Sequence, residues 1–242
     1  MARRGRAVGA ALALAGLVLA GCGGDDDTSG DDGSAPEVEE DIVLEDDFSD
    51  PASGFTVSQN DTGSLRYADG EYLIDALGAG TFKVSDTDLD GEAFVASASE
   101  LGDVRLEADL AKASEDDTVV MGLVCRLVTE VPGYYAALFD DDGYWQIRRF
   151  SGAVEVLAES TAGTTVRGLG AGDGDRLRLD CVDGPSGATI AMYLNGELIA
   201  SVVDPSPLPA GSAGMAAGPR GASARGAARF DDLRVTVLSG PS

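Results

Sequence analysis

From Ile42 onward, apolar and polar positions alternate in short runs separated by Gly, Asp, Asn and Pro. Val104-Arg105-Leu106-Glu107-Ala108-Asp109-Leu110 switches at every residue, the period of a strand with one buried and one wet face. Arg176 to Cys181 repeats the pattern. Between "ATIAMYL" and "ELIASVV" lies Asn195-Gly196, a pair that tolerates positive φ at both turn positions and so predicts a hairpin. Asp69-Gly70, Asp142-Gly143 and Ser151-Gly152 mark further turns. The pattern predicts about a dozen strands and no helix, with turn signals roughly every 8–12 residues, which points to a sandwich or barrel.

The first residues follow another pattern. Arg3, Arg4 and Arg6 precede an apolar run from Ala7 to Ala20, too short to span a bilayer, which needs about 20 residues. Leu19-Ala20-Gly21-Cys22 resembles the bacterial lipobox, in which the cysteine becomes the lipid-bearing N-terminus. An ordinary signal peptide with a chance cysteine is the alternative. Cys22 to Asp41 is rich in Gly, Ser and Asp and has no basic residue, so like charge and low hydrophobicity predict an extended, unfolded tether. The expected organisation is a signal peptide over 1–21, a tether over 22–41, a β domain over 42–238 and a tail over 239–242. The expected location is outside the cell, held to the bacterial membrane by lipid.

Charge and composition narrow the chemistry. The formal net charge of −25 argues against nucleic acid as a partner, since phosphate binding needs a basic surface. It also makes anionic headgroups repel the domain, so an anchor must hold it at a membrane. The chain has no histidine, which removes His-based zinc sites and Ser-His or Cys-His catalysis. Cys125 is in phase with Leu123 and Leu127, and Cys181 with Leu177 and Leu179. With Cys22 committed to lipid and the exported compartment oxidising, a disulfide between Cys125 and Cys181 on neighbouring strands is expected. Two buried thiols are the alternative.

A set of segments carries a family resemblance. "EDDFSDPASGF", "MGLVCRLV", "PGYYAALFDDDGYWQIRRF", "DRLRLDCVDG", "ATIAMYLNGELIASVVD" and "ARFDDLRVTVL" span roughly Ile42 to Leu238. Their series resembles the concanavalin A-like lectin/glucanase jelly rolls, close to laminin G-like and 3-keto-disaccharide hydrolase-type domains. The resemblance implies an all-β, antiparallel jelly-roll sandwich whose first and last strands lie side by side. It does not imply one activity, because this fold hosts lectins, hydrolases and adhesion modules.

Three residue sets could carry chemistry. Glu107 and Asp109 share one strand face and resemble part of the Glu-x-Asp-x-x-Glu strand of laminarinase-type jelly rolls, but Lys112 stands where the third acid belongs. Solvated acids on a strand face are the alternative. Asp86, Asp88 and Asp90, followed by Gly91, begin like a calcium loop. The bidentate acid that should close such a loop is missing, so a polar connection is the alternative. Around the hairpin of Asp140 and Asp142 lie Tyr134, Tyr135, Tyr144 and Trp145. Aromatic faces beside polar groups suit sugars, although alternation sends one of Tyr134/Tyr135 and one of Tyr144/Trp145 into the core. Arg126, Arg148 and Arg149 are expected on a nearby wet face, to pair with Glu107 or Asp109 or to grip an anionic group.

These observations favour a non-catalytic module that binds an extracellular ligand, most naturally a glycan, with no cofactor unless calcium enters at Asp86–Asp90. A glycoside hydrolase of the 3-keto-disaccharide type and an envelope scaffold with a protein partner are the competing expectations.

Overall fold

The computed structural model describes residues 39–77, 83–84, 101–113, 119–128, 132–161, 174–220 and 225–239. The signal segment, most of the tether and the Asp86–Asp90 motif lie outside the described residues.

The alternating runs form fifteen described strands in two antiparallel sheets, and no helix is present among the described residues. The larger sheet has nine strands. Its order is β13 (Glu197–Asp204), β12 (Gly187–Leu194), β11 (Asp175–Gly184), β6 (Val104–Lys112), β15 (Arg225–Ser239), β4 (Glu71–Leu77), β3 (Gly63–Ala68) and β2 (Ser58–Asn60). β1 (Glu39–Asp46) completes it by pairing with β15. The smaller sheet has six strands, in the order β10 (Val154–Glu159), β9 (Trp145–Ser151), β8 (Gly133–Asp140), β7 (Val119–Val128), β14 (Ser212–Pro219) and β5 (Lys83–Val84).

The first and last strands are neighbours, as the resemblance implies. β1 already contains Glu39, Glu40 and Asp41, residues assigned from sequence to the tether. Their polar side chains do not prevent pairing, because the bonds to β15 are made by the backbone.

The inward halves of the alternating runs form one core. Leu106, Ala108 and Leu110 from β6 meet Leu177 and Leu179 from β11 and Met121, Leu123 and Tyr135 from the smaller sheet. Gly122 lets β7 and β8 approach closely, because a Cβ there would lie 1.9 Å from the Ala137 carbonyl oxygen. Asn195 and Gly196 have φ of 51° and 83°, the left-handed pair that the hairpin requires.

Cys125 and Cys181 form a disulfide, with Cα atoms 6.7 Å apart. It does not join neighbouring strands. Cys125 is on β7 and Cys181 on β11, so the bond pins one sheet to the other. In-phase apolar neighbours report that a residue faces inward, and the inward faces of both sheets meet in the same core.

β15 changes partner partway along. Arg225 to Phe230 pair with β4, and Leu233 to Ser239 pair with β1. Asp231 and Asp232 sit at the junction, and Asp232 takes a φ of 46°. Two clefts flank this break.

Candidate functional site

The outward face of β6 carries Arg105, Glu107 and Asp109 in the middle of the larger sheet. Glu107 and Asp109 do share one face, and arginines from β11 hold them. Arg176 Nη1 donates to Asp109 Oδ1 at 3.0 Å, and its Nε lies 4.0 Å from Glu107 Oε1. Arg105 bridges Asp180 at 3.1 Å and Glu40 at 2.6 Å. Arg178 pairs with Asp180 and lies 4.4 Å from the centre of the Tyr193 ring. The face is therefore a cross-strand ladder of opposite charges.

Next to this ladder are two clefts. One of about 650 Å³ is lined by Glu45, Asp46, Asp47, Arg176, Asp232 and Arg234. Another of about 320 Å³ is lined by Glu71, Asp109, Gly174, Arg229 and Asp231. Asp231 sits directly opposite Asp109 across the β15–β6 pair. Burial and the nearby charges of Asp232, Glu71 and Asp109 push its carboxyl above the usual range. The sequence gives no sign of this pair, because Asp109 and Asp231 meet only through strand register.

The hairpin of β8 and β9 builds the second candidate on the outer face of the smaller sheet. Two of the four aromatics point the other way. Tyr135 is fully buried, and its hydroxyl donates to Asp204 Oδ2 at 2.6 Å. Trp145 lies opposite the buried Phe139 and packs on the core. Tyr135 is unavailable as a ligand platform and Trp145 presents only part of its ring, because alternation turns these positions inward. Tyr134 and Tyr144 face outward. Tyr134 stacks on Phe150 with ring centres 5.3 Å apart, while Tyr144 is 42% exposed.

Tyr144, Asp140 and Arg148 line one pocket of about 180 Å³ with Gln146, Arg220 and Leu138. Asp140 organises its rim. Its Oδ1 accepts from the Asp142 and Tyr144 amides at 3.0 and 2.9 Å, closing the turn. Its Oδ2 pairs with Arg220 Nε at 2.9 Å. Burial raises the Asp140 carboxyl from its ordinary range, against these donors and the Arg220 charge. Arg220 also pairs with Asp142 and lies 5.9 Å from the centre of the Tyr144 ring. Along the wall, Arg148 Nε donates to Gln146 Oε1 at 2.6 Å, and Gln146 Nε2 donates to Glu159 at 2.9 Å. Burial lowers the Arg148 guanidinium from its usual range, opposed by Tyr134 and Glu159.

Arg126 is not on this wet face. It is 1% exposed, donates to the Leu208 carbonyl at 2.9 Å and pairs with Asp183 at 3.0 Å. Its φ of 52° marks an irregularity in the β7–β8 pairing, which breaks the alternation that predicted an outward side chain. Gln146 and Arg220 are pocket residues that the sequence reading missed. Gln146 was legible, since it shares a face with Arg148 on β9. Arg220 was not. It follows β14, whose end Pro219 pairs with Val119, and the adjacent Val120 pairs with Asp140. Among the described residues no acid or cysteine cluster is placed to hold a metal ion.

No protein-family model matches the sequence, and no curated protein matches it at a significant level. Solved structures do match. A kappa-carrageenase from Zobellia galactanivorans superposes with a TM-score of 0.55 and 11% identity, over 85% of this chain and 98% of that one. A Bacillus licheniformis beta-glucanase superposes with a TM-score of 0.52 and 10% identity, over 86% of this chain and all of the other. A carbohydrate-binding module from Bacillus subtilis covers 80% of this chain and 92% of its own at 15% identity, but its TM-score of 0.43 is too low to carry an argument. With two antiparallel sheets and these neighbours, the chain has the all-β jelly-roll sandwich fold.

Proposed function

We propose that this chain is an exported lipoprotein whose jelly roll binds a glycan, without catalysis, in the pocket of Tyr144, Gln146, Arg148 and Arg220. One observation carries the reading. An outward aromatic ring, an amide, two guanidiniums and a carboxylate converge on one concavity over an apolar floor at Leu138 and Val120. Sugars need that combination, because their C–H faces stack on rings while their hydroxyls require directed polar partners. The fold neighbours include enzymes named for glucan and carrageenan, which supports a glycan as the ligand class. Lipid on Cys22 and the acidic tether would hold the domain off the membrane. Affinity electrophoresis of the full chain through polysaccharide gels tests the reading. Retardation in one gel that Tyr144→Ala abolishes is expected; retardation unchanged by Tyr144→Ala would remove this pocket as the site.

Hydrolysis is the second reading, favoured by Asp231 facing Asp109 beside a cleft. Two facing carboxyls, one of them raised by burial, are the arrangement of an acid and its partner in glycoside cleavage. Release of reducing ends that Asp231→Asn stops would support it. The arginine pairing of Asp109 favours a structural role for that acid and places this reading second.

A further inference from the structure

We infer that the glycan held at Tyr144 is acidic, and that Arg148 receives a sugar carboxylate. The inference rests on the glycan reading above. It comes from how arginines are used in this chain. Acidic side chains far outnumber basic ones, and the described arginines are paired accordingly. Arg105, Arg126, Arg149, Arg176, Arg178, Arg220, Arg225, Arg229 and Arg234 each have a carboxylate in ion-pair reach. Among the described residues, only Arg66 and Arg148 do not. Arg66 is on the open surface of β3, where water solvates it.

Arg148 differs, because it is half-buried in the wall of a pocket. Its charge is partly desolvated, and no carboxylate among the described residues repays that cost at contact distance. Glu159 is the nearest candidate by position, but Gln146 stands between them: it accepts from Arg148 through Oε1 and donates to Glu159 through Nε2. The groups around Arg148 are Tyr134 on β8, Gln146 on its own strand and Glu159 on β10, together with Arg220, Asp140 and Tyr144 across the pocket. Asp140 is already engaged by Arg220.

This arrangement orients the guanidinium. Gln146 occupies Nε, which leaves the Nη1 and Nη2 edge for a ligand. A planar carboxylate matches that edge with two parallel hydrogen bonds. Tyr144 would then lie against the sugar ring that bears the acid. The overall negative charge repels polyanions at long range, and salt screens that repulsion more than it screens the partly buried contact itself.

The test is calorimetric titration of the full chain with tetragalacturonate, with its fully methyl-esterified form, and with a sulfated galactan tetrasaccharide. Tetragalacturonate should bind at least about tenfold more tightly than the ester, the minimum expected of charge-assisted bonds at one guanidinium. Arg148→Gln should erase that difference, and Tyr144→Ala should weaken binding of both. Equal affinity for acid and ester, lost in Tyr144→Ala, overturns the acidic preference and leaves the glycan reading standing. Preference for the sulfated sugar over the uronate overturns the carboxylate assignment. Failure of all three sugars to bind overturns the inference, and the polysaccharide gels then decide the broader reading separately. Acid-selective binding that Tyr144→Ala leaves intact overturns both.

Discussion

The Tyr135 hydroxyl donates to Asp204 Oδ2 at 2.6 Å and accepts from the Leu208 amide at 3.0 Å, deep between the sheets. One phenol thereby closes β13 and the following segment onto β8. Asp204 Oδ1 accepts from the Ser206 amide at 2.9 Å, and Arg149 Nε lies 3.5 Å from Oδ2.

Tyr135→Phe keeps the ring and its packing but leaves a buried carboxylate oxygen and a buried amide each short of a partner. Each such loss costs about 1–3 kcal/mol. A destabilisation of about 2–6 kcal/mol is expected in urea unfolding with an unchanged slope. Wild-type stability in this variant would mean that water replaces both bonds.

The same residue sets an alkaline limit. Burial, followed by the bond to Asp204, pushes the Tyr135 hydroxyl up to about 12. Below about 10 the phenol is protonated in both the folded and unfolded chains, and its contribution is fully present. Between about 10 and 12 the unfolded chain ionises first, so stability falls as pH rises. Tyr135→Phe should flatten part of that fall in a pH series of melting temperatures. Tyr72 is also raised by burial and adds to the slope that remains.

Replacing Cys125 and Cys181 by alanine removes a link that spans 56 residues of sequence. A loop of that length corresponds to about 4 kcal/mol of lost constraint on the unfolded chain. A large fall in melting temperature is expected, and reductant should reproduce it in the wild type. No response to reductant would show that packing alone holds the sheets together.

Cys22→Ser should abolish labelling by radioactive palmitate and release the protein from the membrane fraction into the medium. Retained labelling would place the lipid elsewhere and refute the assignment of Leu19 to Cys22 as a lipobox.

Gly122→Ala would drive a methyl against the Ala137 carbonyl at 1.9 Å in the centre of the smaller sheet. Backbone cannot yield there as a side-chain tip could, so poor folding is expected, read as loss of soluble yield and of cooperative unfolding.

Much of this protein was legible along the chain because the relevant signals are local. Alternation depends on neighbours two residues apart, so the strands Val104–Lys112 and Asp175–Gly184 and the inward phase of both cysteines followed from sequence. Asn195-Gly196 named its own turn through φ. Alternation also required that half of the hairpin aromatics be buried, though not which half. That choice, and everything that depends on register, belongs to the tertiary structure. Sheet assignment turned an expected bond between neighbouring strands into a bond between sheets. Register set Asp231 opposite Asp109, and the β14–β7–β8 pairings carried Arg220 to the rim built by Asp140. One irregularity in β7 buried Arg126 against the alternating pattern. Local period determines which way a side chain points, and only the pairing of distant strands determines what it meets.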